Sequence, residues 1–269
     1  MSRIKLYQGD CLEVMRSLPD DSIDSVITDP PYGTTSCKWD IIIPLEEMWT
    51  ELKRISKSHC PILLFGQEPF SSYLRISNIN DYKYDWYWQK ERATNIMQLK
   101  KRPGKVIETI SVFYNKQATY NPQKTLHTGK LRSNKIKDGK LGNLVDSNSR
   151  KPKEYKDDGT RYPLQVLNYK RDILTSNLHP TQKPLALLEN LVKTHSNEDD
   201  VVLDFTMGSG TTGLACKNLN RKFIGIELDE EYYKIAQNRM YNPLMDIINP
   251  ITYYNLILYI SNYLCDVVY

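Results

Sequence analysis

The chain has 269 residues, 40% of them hydrophobic, and a formal net charge of +4. That length suits one large α/β domain with an insertion, or two small domains. Cys11, Cys37, Cys60, Cys216 and Cys265 form no Cys-x-x-Cys pair and no zinc-ligand spacing, and their odd number forbids a complete internal disulfide set. A disulfide scaffold and a structural zinc module are therefore excluded, no metal site is expected, and the chain reads as a reduced, cytoplasmic protein. A strand pattern begins at once, so no signal peptide is expected.

Residues 4–32 read as a strand, a short helix from Leu12 to Leu18, and a second strand from Ile23 to Thr28. That strand ends in Asp29-Pro30-Pro31-Tyr32. Each proline fixes its own φ and offers no N–H, so the turn is stiff and extended. An acid, backbone carbonyls and a flat ring then stand together, which suits gripping an exocyclic amino group on a flat base. Taken alone, the four residues read equally well as an acid-capped proline turn.

Leu45, Met48, Trp49, Leu52 and Ile55 recur at helical spacing, so Ile43 to Ile55 is expected to be a helix. Pro61 to Gly66 reads as a buried strand, and Tyr84 to Lys90 and Ile107 to Tyr114 as two more. Alternation puts Trp86 and Trp88 on one face and Tyr87 on the other. That face reads as core rather than as a stacking platform for bases. Lys90, Arg92, Lys100, Lys101, Arg102 and Lys105 follow as candidate phosphate contacts. Strands alternating with helices indicate a parallel sheet with helices on both faces.

Residues 115–160 break this rhythm, being poor in apolar residues and rich in Lys, Asn, Ser, Asp and Gly. From Met97 to Lys170 there are 17 Lys and Arg against 6 Asp and Glu, so the rest of the chain is net acidic. A basic segment in an acidic body suggests a surface for phosphate backbone, with Lys124, Lys130, Arg132, Lys135 and Lys137 as candidate contacts. The alternative is a solvated loop.

Val201 to Asp204 reads as a buried strand running into Phe205-Thr206-Met207-Gly208-Ser209-Gly210-Thr211-Thr212-Gly213 and a helix from Leu214 to Leu219. A strand, a glycine-rich turn and a helix N-terminus make a nucleotide-binding corner, with Gly208 and Gly210 allowing close backbone approach. Lys222 to Ile226 is the next strand, and Glu227 at its end stands where such folds bind ribose hydroxyls. Asp229 to Gln237 is helical by pattern. Ile251 to Tyr269 is apolar but interrupted by polar residues and has no basic flank, so a packed helix is expected there rather than a membrane span.

Together, Leu6 to Leu12, Asp29 to Tyr32, His179-Pro180-Thr181-Gln182-Lys183-Pro184 with Leu185 to Leu191, the glycine turn, and Phe223 to Tyr232 resemble the DNA amino-methyltransferases. The order, with the acid-proline motif before the glycine turn, is that of the β group. The resemblance covers most of residues 4–240. It implies an α/β Rossmann-like methyltransferase fold: a mixed, mostly parallel sheet flanked by helices, plus an inserted target-recognition region. The implied division is 1–114 for the catalytic half, 115–178 for the basic insertion, 179–240 for the cofactor-binding half and 241–269 for an apolar tail.

The resemblance further implies S-adenosylmethionine as cofactor and double-stranded DNA as partner, with a homodimer and a cognate restriction endonuclease as candidate partners and no membrane. Asp29, Pro30, Pro31 and Tyr32 would address the target amine, with Tyr32 stacked on a flipped base. Asp204, Phe205, Gly208, Ser209, Gly210, Thr211, Thr212 and Glu227 would hold the cofactor. Asp10 would lie near its adenine ring and Lys183 near its carboxylate end. Phe205-Thr206-Met207 departs from the family's Pro-Phe-x, which leaves open the side chain that packs on the cofactor. The expected reaction is methylation of adenine N6. N4 of cytosine, an RNA adenine target and a catalytically silent DNA-binding homologue are the alternatives.

Overall fold

The computed structural model describes residues 3–34, 40–129, 157–172 and 182–241. The chain forms two compact units, Pro122–Leu164 and the remainder. In the larger unit, β1 (Ile4–Gln8) leads to α1 (Cys11–Ser17) and β2 (Ser25–Thr28), then to α2 (Leu45–Ile55), β3 (Ile62–Gly66) and α3 (Phe70–Ser77). β4 (Tyr82–Gln89) and β5 (Ile107–Phe113) follow. In the smaller unit β6 (Thr125–Leu126) pairs antiparallel with β7 (Thr160–Arg161). The larger unit resumes with β8 (Val166–Asn168), α4 (Leu185–His195), β9 (Val201–Asp204), α5 (Thr211–Asn218), β10 (Lys222–Glu227) and α6 (Glu230–Tyr241).

Among the described residues, eight strands form one sheet in the order β1-β10-β9-β2-β3-β5-β4-β8. All neighbours are parallel except β5, which runs antiparallel between β3 and β4. The sheet is therefore mixed and mostly parallel. From β9 the chain winds outward through β10, and from β2 it winds the other way through β3. The boundary between β2 and β9 is a topological switch point, where such sheets open a crevice at their carboxyl ends.

Period-two alternation supplies both cores. Val26, Ile62, Leu64, Leu203 and Ile226 point to one face, under Met15 of α1, Trp49 of α2 and Leu74 of α3. Ile27, Leu63, Phe65, Val202 and Phe223 point to the other, under Leu188 and Leu191 of α4, Ala215 of α5 and Ala236 of α6. Trp86 and Trp88 are buried in this second core. Trp86 donates to His195 Nε2 at 3.1 Å and Trp88 to the Tyr169 carbonyl at 2.8 Å.

Helix α3 has no counterpart in the sequence expectations. Its buried face is only Phe70, Ser71 and Leu74, too short and too polar for periodicity to reveal. Residues 115–121 pack with the larger unit, where Asn121 donates its backbone N–H to the Thr194 carbonyl at 2.7 Å. β8 likewise extends the large sheet, so the separate unit spans Pro122–Leu164, within the 115–178 insertion. Lys130, Arg132, Lys135, Lys137 and the tail beyond Tyr241 lie outside the described residues. Among the described residues, no helix is long and apolar enough to cross a membrane.

Candidate active site

At the carboxyl ends of β2, β9 and β10 lies a cavity of about 620 Å³, a size that suits a cofactor or drug-sized ligand. Asp29, Pro30, Pro31 and Tyr32 line it, and so do Asp10, Asp204, Phe205, Gly208, Ser209, Thr211, Thr212, Glu227 and Lys183. The acid turn and the glycine turn, about 175 residues apart in sequence, thus open on one space.

The acid turn is fixed from both sides. Asp40 is buried and accepts the backbone N–H groups of Tyr32, Gly33 and Thr34 at 2.7–2.8 Å. The Thr206 hydroxyl donates to the Asp29 carbonyl at 3.0 Å. That carbonyl is therefore committed to the fold, and the Asp29 carboxylate is the group left facing the cavity. The Tyr32 ring stacks on Phe70, with centroids 5.2 Å apart, and its hydroxyl donates to Asp29. One face of the ring is thus covered by the protein, which modifies its expected role of stacking on a base.

A chain of alternating charge ends at Asp29. Lys90 Nζ lies 2.6 Å from Glu108 Oε2, Lys183 Nζ lies 3.0 Å from Glu108 Oε1, and Lys183 also pairs directly with Asp29. Lys183, expected near the cofactor's carboxylate end, borders the cavity, and its ammonium sits between these two carboxylates. Lys90, expected to contact phosphate, is turned inward onto Glu108 and over the Trp88 ring. In both cases, burial makes an acid partner the lower-energy place for an ammonium.

Burial alone would raise the Glu108 carboxyl, but the ammoniums of Lys183 and Lys90 bring it down to about 2. Burial raises the Asp29 carboxyl above the ordinary aspartate value, and Lys183 opposes that. Glu108 was not visible in the sequence as a site residue. Its one signal is an acid sharing a strand face with buried Ile110 and Val112.

The glycine turn is built for close approach. Gly208 and Gly210 adopt φ of +52° and +79°, the left-handed region that glycine tolerates. A Cβ on Gly210 would meet that of Ala236 at 3.0 Å. Arg239 of α6 is buried beneath the turn and donates to the Ser209 carbonyl at 2.7 Å and to Thr211 Oγ1 at 3.1 Å. Sequence pattern gave no sign of this support, because Arg239 looks like an ordinary solvated helix residue.

Glu227 accepts the backbone N–H groups of Gly208 and Asp229 at 2.8 and 2.9 Å. Burial raises its carboxyl, while those two hydrogen bonds oppose the rise. A carboxylate has about four acceptor sites, so these backbone bonds do not exhaust its capacity to accept a hydroxyl in the cavity. An acid at this strand end and a turn with glycine at 208 and 210 fit the ribose and chain of S-adenosylmethionine. Asp10 caps α1, accepting from the Leu12 and Glu13 N–H groups, and also borders the cavity. Asp204 is buried and is pushed up to about 6 by that burial. The Phe205 side chain belongs to the first core.

Lys100, Lys101 and Arg102 are exposed on the loop between β4 and β5, whereas Lys105 is half-buried. In the smaller unit, Lys124 pairs with Asp158 at 3.5 Å and lies over the Tyr162 ring. Among the described residues, no three His, Cys, Asp or Glu side chains come together to hold a metal ion.

A doubly wound sheet with an acid turn and a glycine turn at its switch point defines a Rossmann-like methyltransferase. The chain belongs to the DNA methylase family of N6 and N4 methyltransferases, which it matches over residues 23–238. The type II methyltransferase M.HpaI of Haemophilus parainfluenzae is 29% identical over 260 residues, 88% of this chain and 74% of that one. The DNA adenine methyltransferase YhdJ of Escherichia coli is 29% identical over 252 residues, 87% of this chain and 82% of the relative. The solved structure of the M1.HpyAVI-SAM complex has 28% identity and a TM-score of 0.58, over 88% of this chain and 99% of that one.

Proposed function

We propose that this chain transfers a methyl group from S-adenosylmethionine to the N6 amino group of adenine in DNA. The observation that carries this is the shared cavity, with the Asp29 carboxylate on one wall and the Gly208–Glu227 pair on another. Likeness to relatives that include an adenine methyltransferase supports adenine over cytosine.

S-adenosylmethionine, when bound, supplies an electrophilic methyl group on a sulfonium. Glu227 would hold the ribose hydroxyls, with the backbone of Gly208 to Gly210 alongside. The amino nitrogen of adenine is a poor nucleophile, because its lone pair is delocalised into the ring. Asp29 accepts one of its N–H groups and turns the lone pair out of the ring plane, toward the methyl. The Pro30 carbonyl, on the same stiff turn, is the proposed second acceptor. As the nitrogen takes the methyl, the methyl–sulfur bond would break and S-adenosylhomocysteine leave; the Asp29 carboxylate stabilises the positive charge that develops on nitrogen, which then gives up a proton to water. The target atom is inaccessible in a duplex, so the base is flipped out.

Exposed Lys100, Lys101 and Arg102, with the basic 115–178 segment, are the proposed contacts to phosphate and target. Likeness to type II methyltransferases supports a cognate restriction endonuclease as partner. Cys11, Cys60 and Cys216 are buried thiols, which fits the reducing cytoplasm. Mass spectrometry of nucleosides from DNA treated with the chain and S-adenosylmethionine tests the reaction. N6-methyladenine is expected with the wild type and none with Asp29→Ala. N4-methylcytosine in its place would overturn the base assignment.

A further inference from the structure

Both oxygens of Asp29 are occupied from within the protein. The Tyr32 hydroxyl donates to Oδ1 and the Lys183 ammonium to Oδ2. A target amino group must therefore compete with two donors already in place on this carboxylate. Both have the same second seat. Glu108 Oε1 lies 3.0 Å from Lys183 Nζ and 3.2 Å from the Tyr32 hydroxyl.

We propose that Lys183 is a positioning residue that caps Asp29 until the amino group arrives and then rests on Glu108, which Lys90 holds in place. The proposal rests on the reading of Asp29 as acceptor for the target amine.

Four separate places in the fold build this arrangement: the turn after β2, the end of β4, strand β5, and the residues before α4. Along it the charges alternate: Lys90 positive, Glu108 negative, Lys183 positive, Asp29 negative. Side-chain exposure is only 8%, 4% and 9% for Lys90, Glu108 and Lys183, but 23% for Asp29, the most open of these four cavity-lining residues. An uncompensated buried charge is costly, so a lysine leaving Asp29 needs another anion within reach. Glu108 supplies it without the ammonium crossing open space. An ammonium carries three donors on a flexible stem, so it can move between two carboxylates by small rotations. The Phe65 ring, 5.0 Å from Nζ, adds a third favourable contact for the cation.

Within the same cluster, Lys183 favours the charged form of Asp29 against burial. The ionisable groups facing it are Tyr32, Lys183 and Glu108, with Asp204 beyond Thr28. Of these, only Lys183 is a cation. An ionised carboxylate is the stronger acceptor, and burial opposes its ionisation.

The test is the pH dependence of methyl transfer to DNA by the wild type, Lys183→Met, Lys183→Arg and Glu108→Gln, with thermal unfolding and S-adenosylmethionine binding measured on each. In Lys183→Met the acid limb of kcat/KM should move up by about 1–3 pH units, the amount by which a neighbouring cation holds an aspartate down. Lys183→Arg should bring it back. Glu108→Gln removes the charged second seat, so KM for DNA should rise about tenfold or more while kcat changes little. An unmoved acid limb in a folded, cofactor-binding Lys183→Met overturns the proposal, as does failure of arginine to restore it. If Lys183→Met does not fold, Glu108→Gln decides, and an unchanged KM overturns it. Transfer by the wild type with an unmoved limb removes this proposal alone. No transfer by the wild type removes the reading of Asp29 and this proposal with it.

Discussion

Thr28 and Asp204 lie 176 residues apart and are joined by a buried hydrogen bond of 2.6 Å, hydroxyl to carboxylate. It ties the strand that carries the acid turn to the strand that carries the glycine turn. Thr206, 2.7 Å from the Thr28 hydroxyl, reaches on to the Asp29 carbonyl. Thr28→Val keeps the volume but removes the donor. It should cost about 1.5–3 kcal/mol of stability, the usual worth of a hydrogen bond to a charged group. Urea unfolding measures this, and a loss within error would show that the bond is redundant.

The two walls of the cavity should separate by mutation. Asp29→Ala should abolish methyl transfer and leave S-adenosylmethionine affinity near the wild-type value. Glu227→Ala should weaken that affinity about ten- to a hundredfold, the worth of a charge-assisted hydrogen bond. The Gly208 N–H would also lose its acceptor, so Glu227→Gln should lose less than Glu227→Ala. Calorimetric titration of each variant checks this, and parallel loss of cofactor binding in Asp29→Ala would contradict the division.

Lys100, Lys101 and Arg102 are exposed, whereas Lys90 is consumed by Glu108. Replacing the three exposed residues with Ala should weaken DNA binding and flatten its dependence on salt, by up to about 0.9 in the log–log slope per lost phosphate contact. Cofactor affinity should not move. A slope equal to the wild type's would place the DNA elsewhere.

His195 is buried behind Trp86, and burial pushes its imidazole down to about 3. The unfolded value is about 6.5, so the folded chain binds fewer protons between those limits. The resulting stability is fully present above about pH 6.5 and is lost as pH falls toward 3, at about 1.4 kcal/mol per pH unit. Asp204 acts in the opposite sense, because its raised carboxyl takes up a proton in the folded state first. Comparison with His195→Gln, which keeps an acceptor for Trp86, cancels that contribution. Between pH 6.5 and 5 the wild type should lose about 2 kcal/mol more than the variant. Parallel losses would mean that His195 is not the neutral group.

Local rules made much of this chain legible. Proline fixes φ, glycine permits positive φ, and alternation of apolar residues marks buried strands, so the acid turn, the glycine turn and the strands flanking them could be read in order. Those are properties of a few consecutive residues. The antiparallel insertion of β5 between β3 and β4 was not legible, because nothing in a strand's own sequence names its neighbours.

The charge chain at Asp29 was decided by tertiary structure alone. Lys90, Glu108 and Lys183 look like a basic-cluster lysine, an ordinary strand acid and a cofactor-end lysine when each is seen among its sequence neighbours. Only the sheet order and the placement of α4 bring them within 3.0 Å contacts of one another. Electrostatic energy depends on distance and burial rather than on sequence spacing. The sequence by itself determined which groups could do the chemistry, and the fold decided which of them are paired and charged.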